Sequence, residues 1–257
     1  MTGRADSDTG QPVWVELSSA DAAGSREFYA RMFGWDIEVA PDPQYGGYGM
    51  ARLDGDDVAG IAPQQAPGMP TAWAVYIGTG DVDALAGSVQ RAGGTVVAPP
   101  FDVGDQGRMA VFQDPAGAFI SAWQAGQMRS FGSGRANTFG WAELNTRDLD
   151  AARPFYRDVF GWTERSSELA PDQPYIEFLQ DGESVAGALP LGPDVPAEVP
   201  SYWAVYFAVD DVDEAHRRAV AIGGAEVVPP QDMPGGRFSL VTDPQGGSFG
   251  LLKLQGE

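Results

Sequence analysis

The chain has 257 residues, 43% of them hydrophobic, and carries 36 acidic against 16 basic residues for a net charge of −20. That length can bury one large core or two ordinary ones, and no apolar run reaches the length of a membrane span, so a soluble globular protein is expected. The acidity disfavours nucleic acid and membrane as partners and would draw a cationic small molecule, while the lack of cysteine excludes disulfides, thiolate metal sites and a cysteine nucleophile.

The opening stretch, MTGRADSDTGQP, is polar and has no apolar centre of a secretory signal. Residues 1–11 are therefore expected to be disordered and the protein cytoplasmic. VWVELS then alternates as a half-buried strand does. Asp21 is placed to cap a helix that carries Phe28 and Met32 on one face and ends at Gly34, a residue suited to the left-handed conformation. Trp35–Val39, Tyr48–Leu53 and Val58–Ala62 read as short strands separated by Asp, Pro and Gly. TAWAVYIGT opens a second half. Asp81 caps a helix with Val82, Leu85, Val89 and Ala92 on one stripe, and Gly93-Gly94 closes it. Thr95–Val97, Met109–Phe112 and Phe119–Gln124 complete the set.

The pattern is then written again. Phe28, Tyr29, Phe33, Gly34 and Trp35 recur as Phe155, Tyr156, Phe160, Gly161 and Trp162, and VWVELSSAD at 13–21 is echoed by GWAELNTRD at 140–148. WAVYIGTGDVD at 73–83 returns as WAVYFAVDDVD at 203–213, and Asp114-Pro115 as Asp243-Pro244. Such self-similarity marks a duplicated domain. We expect a first domain over 12–125, a Gly-, Ser- and Arg-rich linker over 126–137, and a second domain over 138–257. Pro154 falls inside the second copy's first helix, whose start is placed at about Asp150 so that the proline lies near the first turn. The expected fold class is α+β: two tandem domains, each a pair of βαβββ modules forming a cup-shaped mixed sheet with helices on its outer face.

This order, with FYxxxFGW in the first helix, DVD opening the second and DPxG before the last strand, resembles the vicinal oxygen chelate superfamily of glyoxalases, extradiol dioxygenases and bleomycin-resistance proteins. It is similar in particular to two-domain actinobacterial members. The resemblance implies a metal held by His, Gln or Glu from the first, fifth and last strands. The matching positions here are Trp14, Ala74 and Ser121 in one copy and Trp141, Ala204 and Gly250 in the other. Those residues are no set of metal ligands, and the chain has one histidine, so no metal and no other cofactor is expected.

Strand alternation sorts what faces each cup instead. Trp14, Glu16, Tyr76 and Trp123 fall on that face in the first copy, and Trp141, Glu143, Asn145 and Tyr206 in the second. An aromatic wall with a carboxylate suits a flat aromatic or cationic ligand. Glu16 and Glu143 are the candidate catalytic acid–base groups, the others candidate ligand contacts together with Arg108 and Arg237, which precede the DP pairs and offer the glutamates salt-bridge partners. Trp35, Trp162, Trp73, Val75 and Ile77 are assigned to the core. His216 is read as a partly exposed helix residue without a catalytic role.

The leading functional reading is a metal-independent small-molecule binder for an aromatic or cationic natural-product-like ligand. The alternative is a lyase, isomerase or hydroxylase-like enzyme using Glu16 or Glu143. A metal-dependent enzyme is disfavoured by the donor set. The chain is expected to act as a monomer whose repeats imitate a dimer, or as a homodimer.

Overall fold

A computed structural model describes residues 8–66, 68–128, 131–166 and 174–254. The first repeat runs β1 (Pro12–Ser19), α1 (Ala22–Phe33), β2 (Asp36–Val39), β3 (Gly49–Leu53), β4 (Asp56–Pro63), β5 (Ala72–Gly78), α2 (Val82–Arg91), β6 (Thr95–Val103), β7 (Gly107–Gln113) and β8 (Phe119–Ala125). The second runs β9 (Phe139–Thr146), α3 (Leu149–Phe160), β10 (Thr163–Ser166), β11 (Ile176–Gln180), β12 (Glu183–Pro190), β13 (Tyr202–Ala208), α4 (Val212–Ala221), β14 (Ala225–Met233), β15 (Gly236–Thr242) and β16 (Ser248–Leu254). The strands form two eight-stranded sheets, ordered β2-β3-β4-β1-β5-β8-β7-β6 and β10-β11-β12-β9-β13-β16-β15-β14. Both are mixed: β1 pairs β4 and β5 pairs β8 in parallel, while the hairpins between them are antiparallel.

Each of these α-helices starts at an aspartate whose carboxylate accepts the backbone N–H three positions on. Asp21, Asp81, Asp148 and Asp211 all do so, at 2.9–3.0 Å, satisfying one of the donors a helix start leaves orphaned. Gly34 and Gly161 end α1 and α3 at φ +73° and +74°, a conformation that costs other residues a clash at Cβ. Pro154 sits deeper than expected, in the second turn of α3, where it removes one intrahelical donor. The strand expected over Thr95–Val97 continues through Pro99-Pro100 to Val103. β6 tolerates those prolines because it lies at the sheet's edge and bulges twice against β7.

The packing units are not the two repeats. One unit comprises Met1–Trp14, Val75–Ser130 and Ala142–Trp203, and the other Val15–Ala74, Phe131–Trp141 and Ala204–Glu257, so each combines a βαβββ module from either repeat. In the second of these, Phe28, Tyr29, Phe33 and Trp35 pack on Trp73, Phe207 and Phe249, with neighbouring ring centroids 4.9–6.5 Å apart. In the first, Phe155, Tyr156, Phe160 and Trp162 pack on Phe178 and Trp203. Burying a ring of this size contributes about 1.5–3 kcal/mol, and each well-placed ring pair about 0.5–1.5 kcal/mol more.

At the centre of each cluster stands a buried tyrosine. Trp203 Nε1 donates to Tyr156 Oη at 2.9 Å, and Tyr156 Oη donates to Asp114 Oδ2 at 2.9 Å. Trp73 Nε1 donates to Tyr29 Oη at 3.0 Å. Asp243 acts on Tyr29 by its charge but more loosely, since its Oδ2 lacks a partner of standard hydrogen-bond geometry. Burial first, then the neighbouring carboxylate, raises both phenols well above their ordinary value. Burial likewise raises Asp114 and Asp243, against hydrogen bonds that lower them. The repeated FY phrase and the repeated DP phrase are thus joined, each to the copy of the other in the opposite repeat.

The ends of the expected domains are also better tied than composition suggested. Gly10 N donates to Gly78 O at 2.9 Å, and Trp162 Nε1 donates to Gly10 O at 2.7 Å. Residues 8–11 are therefore anchored, and the rest of the segment expected to be disordered lies outside the described residues. Within the linker, Arg135 pairs with Asp54 and Asp56 at 2.8 and 2.9 Å, and Trp35 Nε1 donates to Asn137 O at 2.8 Å.

Candidate functional site

The sheet faces that carry the candidate residues are set by the alternation of β1, β5, β9 and β13. Val15, Leu17, Trp73, Val75 and Ile77 are buried on one side. Trp14, Glu16 and Ser18 lie on the opposite face of β1, as Trp141, Glu143 and Asn145 do on β9. Tyr76 stands in register with Ser121, Ser121 with Val111, and Trp123 with Met109, which puts these side chains on one face.

Accessibility separates the two copies. Trp14, Tyr76 and Trp123 are 3, 4 and 7% exposed, and Trp123 Nε1 is spent on Met128 O at 3.1 Å. Trp141, Glu143 and Asn145 are half-buried, as are Glu16 and Ser18. Tyr206 is buried and lies flat against Gly250: a Cβ on that glycine would stand 2.0 Å from Tyr206 Cδ1. Only glycine at position 250 admits the ring so closely.

In the second copy a polar cluster forms around Glu143. Asn145 Nδ2 lies 3.4 Å from Glu143 Oε1. Tyr202, half-buried at the start of β13, has its phenol raised by burial and then by the negative charge of Glu143. Alternation assigns Tyr202 to the face of Tyr206, yet the sequence reading passed over it. Its placement follows from a latch: Arg147 N donates to Ser201 Oγ at 3.0 Å, and Thr146 Oγ1 lies 3.4 Å from the same hydroxyl. Arg147 also grips the loop before β13 through Val199 O, Val195 O and Pro196 O.

Arg108 and Arg237 have structural occupations. Arg108 takes Asp83 through Nε and Nη2 at 2.9 and 3.0 Å, Asp102 through Nη1 at 2.8 Å, and Pro100 O. Arg237 repeats this with Asp213, Asp232 and Pro230 O. All three nitrogens of each guanidinium are engaged, so each arginine clamps a helix start to a β-hairpin. His216 is buried at 6% exposure rather than partly exposed, with Nε2 3.0 Å from Glu226 Oε2.

The positions that would hold a metal are Trp14, Ala74 and Ser121, and Trp141, Ala204 and Gly250. None but Ser121 carries a side-chain oxygen, none carries a carboxylate or imidazole, and the Tyr206 ring fills the space above Gly250. Among the described residues no group of three or more His, Cys, Asp or Glu side chains is arranged to hold a metal ion. The donor set does not fit the metal usual at this place. A cavity of about 440 Å³ lies apart from these faces, beside α3, rimmed by Asp150, Arg153, Arg157 and Glu164. Arg153 is paired there with Glu164, and the aromatic floor, Trp162 and Phe178, is 1% exposed, so we give the cavity no chemical role.

The fold and the two faces define a tandem βαβββ protein of the vicinal oxygen chelate type. The chain belongs to the glyoxalase/bleomycin resistance protein/dioxygenase superfamily, whose family model matches residues 11–121 and 138–249. It is 42% identical to CFP32 of Mycobacterium tuberculosis, a protein assigned provisionally as a glyoxylase, over 98% of both chains. It is 40% identical to the anthracycline biosynthesis protein DnrV of Streptomyces peucetius, over 96% of this chain and 94% of that one. Among solved structures it is similar to the Mn(II)-bound glyoxalase from Novosphingobium aromaticivorans, at 18% identity and a TM-score of 0.66, covering 95% of this chain and 82% of that one. It is also similar to the 2,3-dioxygenase LapB from Pseudomonas sp. KL28, at 13% identity and a TM-score of 0.65, covering 95% of this chain and 92% of that one. At such identities the structures share the fold alone. No helix among the described residues is long and apolar enough to cross a membrane.

Proposed function

We propose that the protein binds a planar aromatic, natural-product-like small molecule on the helix-free face of a sheet, without a metal ion. The observation that carries this reading is the exchange of metal ligands for aromatic and small residues at all six expected positions, beside the half-buried carboxylates Glu16 and Glu143. Aromatic side chains offer stacking area, and a nearby carboxylate accepts a hydrogen bond or balances a cation. Trp141 and Asn145, half-buried, are the proposed ligand contacts, while Trp14, Tyr76, Trp123 and Tyr206, 3–7% exposed, back the faces from within. The relationship to an anthracycline biosynthesis protein supports an aromatic polyketide as the ligand class.

A second reading, proton-transfer catalysis on such a ligand, is favoured by one feature: the Asn145 amide lies beside Glu143, whose charge also acts on the Tyr202 phenol. Tryptophan-fluorescence titration with planar aromatic compounds, repeated on Glu16→Gln and Glu143→Gln, tests both. A binder keeps its affinity for aromatics without a hydroxyl, such as anthraquinone, within about threefold in both variants. An acid–base catalyst loses turnover by about 100-fold or more in one of them. No quenching or saturation with any aromatic compound would overturn the proposal.

A further inference from the structure

Beyond ligand binding itself, the structure distinguishes the two copies at one point. The latch that places Tyr202 is present in both repeats, because Ala20 N donates to Thr71 Oγ1 at 3.2 Å as Arg147 N does to Ser201 Oγ. The residues that follow differ. The second copy sets Tyr202 beside Asn145, and the first sets Ala72 beside Ser18. Thr146 and Ser201 are buried and in contact, so their chain neighbours, Asn145 and Tyr202, stand side by side on the opposite face. Glu143 lies two residues back on the same face, within reach of the Asn145 amide.

We propose that Glu143, Asn145 and Tyr202 form a recognition set, unique to the second copy, for a ligand that presents a hydroxyl beside a carbonyl on a flat ring system. This rests on the reading of the protein as an aromatic binder and names the polar part of that ligand. The Glu143 carboxylate accepts a hydrogen bond from the ligand's hydroxyl. The Tyr202 hydroxyl donates to its carbonyl oxygen, which a neutral phenol does at physiological pH, and the Asn145 amide holds the carboxylate in place. Tyr202 is therefore a specificity residue, and the first copy, with Ser18 and Ala72, lacks the pair of donors.

The test is binding of two probes, anthraquinone and 1-hydroxyanthraquinone, to the full chain and to the Tyr202→Phe and Glu143→Gln variants, followed by the visible spectrum of the bound probe. The expected result is that the hydroxylated probe binds about tenfold more tightly than anthraquinone, that Glu143→Gln removes this preference, and that Tyr202→Phe weakens both probes, since both carry the carbonyl its hydroxyl meets. Near-ultraviolet circular dichroism of the unliganded variants reports that they fold. Equal binding of both probes by the native chain, a preference that survives Glu143→Gln, or affinities that Tyr202→Phe leaves unchanged, overturns the recognition set and leaves the aromatic binder standing. Binding of neither probe overturns both.

Discussion

Tyr156 shows most sharply what the repeated phrase does. Its hydroxyl sits between Trp203 Nε1 and Asp114 Oδ2 with hydrogen bonds of 2.9 Å on either side. Tyr156→Phe leaves both groups buried without their partner and is expected to cost about 1–3 kcal/mol. Tyr29→Phe breaks the bond from Trp73 but no standard bond to Asp243, so its cost should be smaller, about 1 kcal/mol. Urea denaturation of the two variants checks this; equal losses would deny the asymmetry. Asp114 gives the pH dependence. Burial raises its carboxyl above the ordinary aspartate value, so the folded state holds the proton more tightly than the unfolded one. Its contribution is fully present below the unfolded value and is lost as pH rises through the folded value. The stability of Asp114→Asn relative to the native chain should therefore rise through that interval and then level off. A difference that stays flat from acid to neutral pH would contradict it.

Legibility in the sequence also divides by residue. The helix-capping aspartates and the core side of β5 could be read because capping and strand alternation are local. Tyr202 could have been found from the alternation Tyr202, Ala204, Tyr206; the comparison of copies hid it, since the matching phrases begin at Trp73 and Trp203, one residue later. The burial of Trp14 and Trp123, against the accessibility of Trp141, depends on what packs over them and leaves no trace in a period of two.

At the scale of elements, the arginine clamps differ from the buried tyrosines in kind. The Arg108 pairs with Asp83 and Asp102 lie at the surface, with carboxylate side chains 61 and 71% exposed. Such pairs are screened by solvent and contribute little. Arg108→Gln should leave thermal stability nearly unchanged, by less than about 1 kcal/mol, and a loss of several degrees in Tm with the hairpin β6–β7 disordered would contradict that. The length of β6 was not readable because Pro99-Pro100 is a strand-breaking pair. Only its edge position, which is a property of the sheet, lets the strand run on.

For the whole molecule, the duplicated βαβββ pattern told which modules share a sheet, those of one repeat, but not which modules share a core. Either core, helices packed on rings of their own repeat or of the other one, satisfies the same apolar stripes on α1 and α3. The exchange is fixed by particular contacts, such as Tyr156 with Asp114 and Phe28 with Phe249, which no local pattern announces. A consequence is that an isolated first repeat, residues 1–128, lacks the Phe207 and Phe249 rings that cover α1. It should fail to fold as a monomer and either self-associate or lose its near-ultraviolet circular dichroism. A folded, monodisperse monomer would show that the repeats are independent.

The central claim is that these sheet faces recognise an aromatic ligand with aromatic and carboxylate side chains where relatives of the fold place a metal. Its most direct measurement is the affinity of 1-hydroxyanthraquinone for protein stripped with a chelator and then resupplied with Mn²⁺ or Zn²⁺. The account predicts saturable binding by the stripped protein, at an affinity that either ion leaves within about twofold. Binding that appears only after an ion is restored, with about one ion retained per chain, would contradict it.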